Sequence, residues 1–282
     1  MRLKEKLSSC KRIIKKGTKK MRMSVLASGS TGNAVYVEDD EQAFLIDAGL
    51  SGKKIEEKLA AIGRSMEKVN GIFVTHEHSD HIHGVGVLAR RHHVPVYANE
   101  KTWQAMRKDI GKIPSDLEFR FDPETDQLFG DFQIQSFRVS HDAVDPMFFA
   151  LQHGNRKLSV ITDTGYMNDR MKGHIHGSDA FVFETNHDVS LLQMCGYPWS
   201  VKRRILSDVG HMSNEDAAVA MSEVVEEKET KIYLSHLSRD NNMKDLARMS
   251  VSQTLETFGI RTGEFVHLFD TDEDEPTKLI DV

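Results

Sequence analysis

The sequence predicts a layered α/β domain, and three observations carry that expectation. Short apolar runs alternate with stretches of helical periodicity along the chain. With 282 residues, of which 39% are hydrophobic and 28% charged, the chain is long enough for a sizeable core and has the composition of a soluble globular protein. No low-complexity linker interrupts the pattern, so a single domain over residues 23–282 is expected after a basic extension at 1–22.

The elements run in order. Strands are predicted at residues 24–27, 35–38 and 44–46, where β-branched and aromatic residues gather between turn residues. A helix over 51–62 puts Ile55, Leu59 and Ile62 on one face, with Gly63 as its stop. Strand 72–75 leads to helix 80–93, and strand 94–97 leads to helix 101–110. Strands 132–139, 147–152, 158–162 and 180–183 come next. Helix 214–228 opens on Ser213 with Asp216 three residues on, the arrangement of a capping box. Strand 232–235, helix 244–258 and strand 265–269 complete the series. Five acids crowd residues 270–275, which read as an acidic, solvated C-terminal tail.

The net charge of −6 is unevenly spread. Residues 1–20 hold nine Lys/Arg and one acid, a charge of +8, so the remainder sums to −14. The basic head lacks the apolar stretch and small-residue cleavage site of a secretory signal. It reads as a flexible basic arm, or as residues ahead of a start at Met21 or Met23; an arm that binds nucleic acid is the alternative. No apolar run approaches the ~20 residues that cross a bilayer. Two cysteines, Cys10 and Cys195, make no disulfide framework, and a cytoplasmic setting is expected.

The residues that end the apolar runs are more informative. Six predicted strands, distributed along the chain, deliver Asp47, His76, His141, Asp163, Glu184 and His236 at their C-terminal ends. A single polar residue there is an ordinary cap. Six ionisable ones suggest side chains converging from a rigid scaffold. Among them stands His76-Glu77-His78-Ser79-Asp80-His81, four potential ligands within six residues at a strand exit and helix entry. They cannot all face one ion, so two neighbouring divalent ions are expected, with zinc or manganese favoured and iron or nickel also compatible with the imidazoles and carboxylates.

This pattern is the HxHxDH signature, and the chain resembles the metallo-β-lactamase superfamily from about Met23 to the acidic segment. The resemblance implies a four-layer αβ/βα sandwich with mixed sheets and a site along the edge where strands end. It implies one metal ion on His76, His78 and His141, a second on Asp80, His81 and His236, with Asp163 bridging and Asp47 structural. Ser28-Gly29-Ser30-Thr31-Gly32-Asn33, Tyr197-Pro198-Trp199 with Lys202-Arg203-Arg204-Ile205, and Gly210-His211-Met212-Ser213-Asn214 resemble the bacterial YycJ (WalJ) family. That resemblance implies a DNA exonuclease acting 5′→3′, related to tRNase Z and RNase J, with repair as its setting. His211 matches the histidine of the tRNase Z HST motif, and Glu184 the glutamate of its HEAT motif, although Phe183 replaces that motif's histidine. Only 72 residues separate Asp163 from His236, too few for the inserted cap of RNase J-type enzymes.

The residue types then set the chemistry. Two ions ~3.5–4 Å apart can hold a bridging water as hydroxide and clamp both oxygens of an in-line phosphodiester displacement. Asp80 can orient the nucleophile, and His211, positioned by Glu184, can protonate the leaving alkoxide. Ser30 and Asn33, in a Gly-rich loop, and Lys202, Arg203 and Arg204 are candidate substrate contacts, with Tyr197 or Trp199 stacking a base. Against these stand a plain hairpin turn, a solvated basic face and core aromatics. The remaining histidines, among them His83, His153 and His187, read as structural, and Cys195 as a packing residue.

The leading expectation is a nuclease acting on DNA; RNA processing, a thioester or lactone hydrolase, and a non-enzymatic metal-binding protein are the alternatives. An acidic protein is a poor polyanion binder overall. Two divalent ions would add +4 where the substrate enters and reverse the local sign.

Overall fold

The computed structural model describes residues 20–282. The basic extension expected at 1–22 therefore lies outside the described residues up to residue 19, and Cys10 with it.

Two seven-stranded sheets form the centre. The first comprises β1 (Arg22–Ala27), β2 (Ala34–Glu38), β3 (Ala43–Ile46), β4 (Val69–Phe73), β5 (Val96–Ala98), β6 (Glu118–Arg120) and the last strand of the chain, β14 (Ile280–Asp281). Its order is β14-β1-β2-β3-β4-β5-β6. The second comprises β7 (Asp126–Phe129), β8 (Phe132–Arg138), β9 (Met147–His153), β10 (Arg156–Ile161), β11 (Ala180–Glu184), β12 (Thr230–Ser235) and β13 (Val266–Asp270), in the order β13-β12-β11-β10-β9-β8-β7. Each sheet is antiparallel through its first four strands in chain order, counting β14 with the first, and parallel thereafter.

Helices α1 (Gly52–Ala61), α3 (Val85–His92) and α4 (Glu100–Ile110) cover the first sheet, burying Ile55, Leu59, Leu88, Trp103 and Met106 against Leu45 and Ile72. Helices α5 (Asp169–Ile175), α8 (Asn214–Val224) and α9 (Lys244–Thr257) cover the second, with Ile175, Met221 and Val251 against Phe181 and Ile232. The third core lies between the sheets, where Phe44, Phe73, Phe132 and Phe149 make a set of edge-to-face rings. Helix, sheet, sheet and helix make the four-layer αβ/βα sandwich. The short helices α2 (Ser79–Ile82), α6 (Val189–Met194) and α7 (Trp199–Ile205) lie at one end of it.

Several expectations change. The helix expected over 80–93 is two helices, because Gly84 donates its N–H to the Ala48 carbonyl and a Cβ there would lie 2.4 Å from the Leu50 carbonyl oxygen. The segment 270–275 is not a free tail. Ser28 N–H donates to the Asp272 carbonyl, Thr277 bonds Ser24 and Val25, and β14 pairs antiparallel with β1. The acids there have partners too: Glu273 pairs Arg239, and Asp272 pairs Lys244. Strands β6, β7 and β14 and helices α5, α6 and α7 have too few periodic residues for apolar patterning to mark them. Among the described residues no helix is long and apolar enough to cross a membrane.

Candidate metal centre

The parallel arrangement explains why the ionisable ends meet. Strands β3 and β4 run together in one sheet and β10, β11 and β12 in the other; β8 shares the direction of β10 because two antiparallel pairings separate them. The C-terminal ends of six strands therefore open on one edge. Asp47, Asp163 and His236 each adopt a left-handed backbone there, with φ of 61°, 54° and 55°. For non-glycine residues this conformation is uncommon and costs energy, and it turns the chain sharply as the strand ends.

Seven side chains gather at that edge. Ligand atoms of His76, His78 and His141 lie within 4.8 Å of one another, as do those of Asp80, His81 and His236, and those of His76, His81 and Asp163. The supports fix which nitrogen each ring presents. Asp47 is buried, accepts from Thr75 N and Oγ1 at 2.8 Å, and lies 2.7 Å from His81 Nδ1. His141 Nδ1 donates to the Gly210 carbonyl at 3.1 Å, and Thr75 Oγ1 is 2.9 Å from His76 Nδ1. With its Nδ1–H directed at Asp47, His81 offers the Nε2 lone pair to the cluster, 2.7 Å from Asp163 Oδ2. Two acceptors face each other across that gap. His76 Nε2, Asp163 Oδ2 and His236 Nε2 are buried without a hydrogen-bond partner. Buried polar atoms left this way are costly, and a cation is what such a donor set satisfies. The residues fit divalent ions.

The electrostatics agree. Burial works to lower the His81 pKa, but the carboxylates of Asp80, Asp163 and Asp47 outweigh it and hold it above the usual range, a pull for positive charge at Nε2 that an ion would satisfy in place of a proton. His236 is held up in the same way by Asp163, Asp80 and Glu184 against burial. Burial alone would raise Asp163 and Asp80, yet the neighbouring imidazoles keep both well below the ordinary carboxylate range. The cluster is built around ionised carboxylates and needs positive charge among them.

His211 and Glu184 form a separate device beside the cluster. Glu184 is fully buried; Oε2 accepts from Thr164 N at 2.8 Å, and Oε1 lies 2.7 Å from His211 Nδ1 and 3.2 Å from His236 Nδ1. The His211 ring is partly exposed. Burial lowers its pKa, but Glu184 and Asp163 raise it above the ordinary histidine value.

The expected substrate contacts divide. Ser30 is exposed at the rim. Asn33 is buried and holds the loop closed: its Oδ1 accepts from Gly29 N, and its Nδ2 reaches Gly29 O, Asp80 Oδ2 and His81 Nε2. Lys202 is buried as well, its ammonium donating to the carbonyls of Gln193 and Cys195, so it ties α7 to the end of α6. Arg204 pairs with Asp142, next to His141, while Arg203 is exposed on α7. Of the aromatic pair, Trp199 is largely exposed, and Tyr197 donates to Asp240. The orienting residues Thr75, Thr164 and Ser28, whose hydroxyl accepts from His236 N at 2.7 Å, escape sequence reasoning. Thr75 and Thr164 do, however, stand directly beside His76 and Asp163 in sequence.

Comparison with known proteins agrees with this geometry. The model of the beta-lactamase superfamily domain matches residues 42–237. The chain is 59% identical over 259 residues to exodeoxyribonuclease YycJ of Bacillus anthracis, covering 92% of this chain and 98% of that protein. It is 48% identical over 261 residues to exodeoxyribonuclease WalJ of Streptococcus pneumoniae, covering 92% and 97%. Among solved structures, the metallo-beta-lactamase fold protein YhfI from Bacillus subtilis superposes with a TM-score of 0.69 at 16% identity, over 94% of this chain and all of that one, which shows the shared fold. From the signature, the four-layer sandwich and these matches together, the chain belongs to the metallo-β-lactamase superfamily of hydrolases, in the family of YycJ and WalJ.

Proposed function

We propose that the chain is a metal-dependent exodeoxyribonuclease that hydrolyses DNA from a 5′ end in the cytoplasm, in DNA repair. One observation carries the reading: seven His and Asp side chains converge with buried, unpartnered donor atoms beside a separate Glu184–His211 pair. The names of the YycJ and WalJ relatives support DNA as the substrate. His76, His78 and His141 would hold one divalent ion, zinc or manganese, and Asp80, His81 and His236 would hold a second, with Asp163 as a ligand shared by the two groups. When bound, such ions supply Lewis-acid polarisation of a phosphoryl oxygen and lower the pKa of water.

The chain's own residues do the rest. Asp80 is the more exposed of the two cluster carboxylates and orients the attacking water. Breaking the phosphodiester leaves an alkoxide that needs a proton. Glu184 holds His211 by Nδ1, leaving Nε2 as the donor to that oxygen, and its charge raises the ring's affinity for the proton it would give up. A thioester hydrolase has no comparable need for that proton donor.

The test offers 5′- and 3′-end-labelled DNA, RNA and a generic thioester to purified protein with manganese or zinc. Mononucleotides released from the 5′ end of DNA, abolished by EDTA and by His76→Ala or Asp163→Ala, are the expected result. Turnover of the thioester alone, or of RNA in preference to DNA, overturns the reading.

A further inference from the structure

Three loops carry the Glu184–His211 pair and its neighbour His236. One follows β11 and starts at Thr185, directly after Glu184; one precedes α8 and contains His211; the third opens on His236 after β12 and runs to α9. Glu184 Oε1 reaches Nδ1 of both rings, 2.7 Å from His211 and 3.2 Å from His236, and the ring centroids stand 5.3 Å apart. One carboxylate oxygen can serve both rings only while the three loops keep their register. Main-chain bonds begin to set it: Thr185 N donates to Ser235 O at 2.9 Å, Asn186 N to Met212 O at 3.0 Å and Asn214 N to His187 O at 2.9 Å.

A buried amide joins all three. Asn242, at the far end of the β12–α9 loop, donates through Nδ2 to Thr185 O at 2.9 Å, to Asn186 O at 3.1 Å and to Asn214 Oδ1 at 2.8 Å. Its Oδ1 accepts from Asn214 Nδ2 at 3.1 Å and from Met243 N at 3.0 Å. Asn242 and Asn214 therefore face each other as a reciprocal amide pair, and Asn214 is the first residue of α8. Asn186 completes the link, its Nδ2 donating to His236 O at 2.8 Å. All three asparagines are buried. An amide suits this place because it donates and accepts at once and adds no charge beside the Glu184 carboxylate; an aspartate would set a second carboxylate against three acceptors. Without Asn242, the Thr185 carbonyl and the Asn214 amide are buried short of a partner, and the loops must shift to find another.

We propose that Asn242 is a positioning residue for proton delivery, holding His211 in register with Glu184 and with the leaving oxygen at the metal centre. It touches no reacting atom and acts through the Thr185 backbone and through Asn214. The inference rests on the nuclease reading for its substrate, and adds a buried residue on which the chemical step depends. A displacement of about 1 Å at a proton donor costs up to about a hundredfold in rate, so a clamp out of reach of the substrate still governs kcat.

The experiment places Asn242→Ala and Asn214→Ala in the wild-type chain and in His211→Ala, and measures kcat and KM of the metal-loaded proteins on end-labelled DNA. Asn242→Ala is expected to lower kcat by about ten- to a hundredfold with KM within about threefold, and Asn214→Ala by less, since Asn242 then keeps its bonds to Thr185 and Asn186. On the His211→Ala background the same Asn242→Ala change should cost less than about threefold, because the group it positions is gone. Equal losses on both backgrounds, or loss of bound metal from Asn242→Ala, overturn the role. A second readout needs no substrate. In zinc-loaded protein carrying isotope-labelled histidine, the Nδ1 proton of His211 held by Glu184, assigned by its absence in His211→Ala, is expected to leave its downfield position in Asn242→Ala. An unmoved resonance overturns the clamp. If wild type cuts no DNA, the nuclease reading fails on its own and this spectrum decides the clamp. Circular dichroism and melting establish folding; if Asn242→Ala does not fold, Asn214→Ala carries the same comparisons.

Discussion

Asp47 carries no reacting atom, yet it decides which nitrogen of His81 faces the cluster. Its two oxygens are held by Thr75 and His81, so the side chain is a fixed strut. Glu184 does the same for His211, and that pair gives the sharpest test at this scale. His211→Ala is expected to lower kcat by about 10²–10⁴, the range for loss of a general acid, with KM little changed. The sign of its pH dependence comes from the raised pKa. Activity is present while His211 is protonated and is lost as pH rises through its folded value. Glu184→Gln removes the charge that raises it, so the alkaline limb of the pH–rate profile moves to lower pH. A limb that stays in place would reassign it to another group. The ionisable residues themselves were legible in the sequence because six of them end apolar runs, and His78, Asp80 and His81 follow His76 within one short motif. The struts were less so, since Asn33, Ser28 and Thr164 act through contacts with residues far along the chain, such as Ser28 with His236. Asn33 and Lys202 have the right chemistry for binding phosphate, but the folded chain uses both internally.

At the scale of elements, loops rather than helices carry the function, and glycine sets how closely they pack. Gly49→Ala drives a Cβ into the Asp80 carbonyl and is expected to cost about 3 kcal/mol or more in urea unfolding, together with metal affinity. Gly173→Ala is the matched control. It lies within α5 with nothing near its Cβ position, and alanine there should stabilise by about 0.5–1 kcal/mol. Comparable losses for both would show that the close approach at Gly49 is unimportant. The long predicted helix 80–93 failed at Gly84 for this same reason, because apolar spacing registers a helical face but not a neighbouring carbonyl. The acidic segment 270–275 misled in the opposite direction. Its charge resembles a solvated tail, whereas its backbone crosses to β1 and its acids pair with Arg239 and Lys244.

For the whole molecule, the site joins two half-domains that meet across the central core, so its occupancy bears on global stability. An ion at 1,000 times its Kd stabilises by about 4 kcal/mol, and chelation should therefore lower Tm by roughly 10 °C in calorimetry. A Tm indifferent to EDTA and to added zinc or manganese would count against the centre. Acid should weaken the fold by a second route through His187, which is buried with both ring nitrogens unpartnered and whose pKa burial lowers to about 4. An unfolded histidine titrates near ~6.5, so this contribution is present above that value and is lost as pH falls toward 4, at most about 3 kcal/mol. His187→Leu should flatten that part of the pH–stability curve relative to wild type.

The sequence by itself determined the layered fold and the ionisable residues of the site, because apolar periodicity and the groups that end each run are local properties. The tertiary structure alone decided which ring nitrogen faces the cluster and which basic residues are left without an internal partner. Those outcomes depend on contacts between segments far apart in the chain, where a hydrogen bond to one neighbour removes a side chain from use by another.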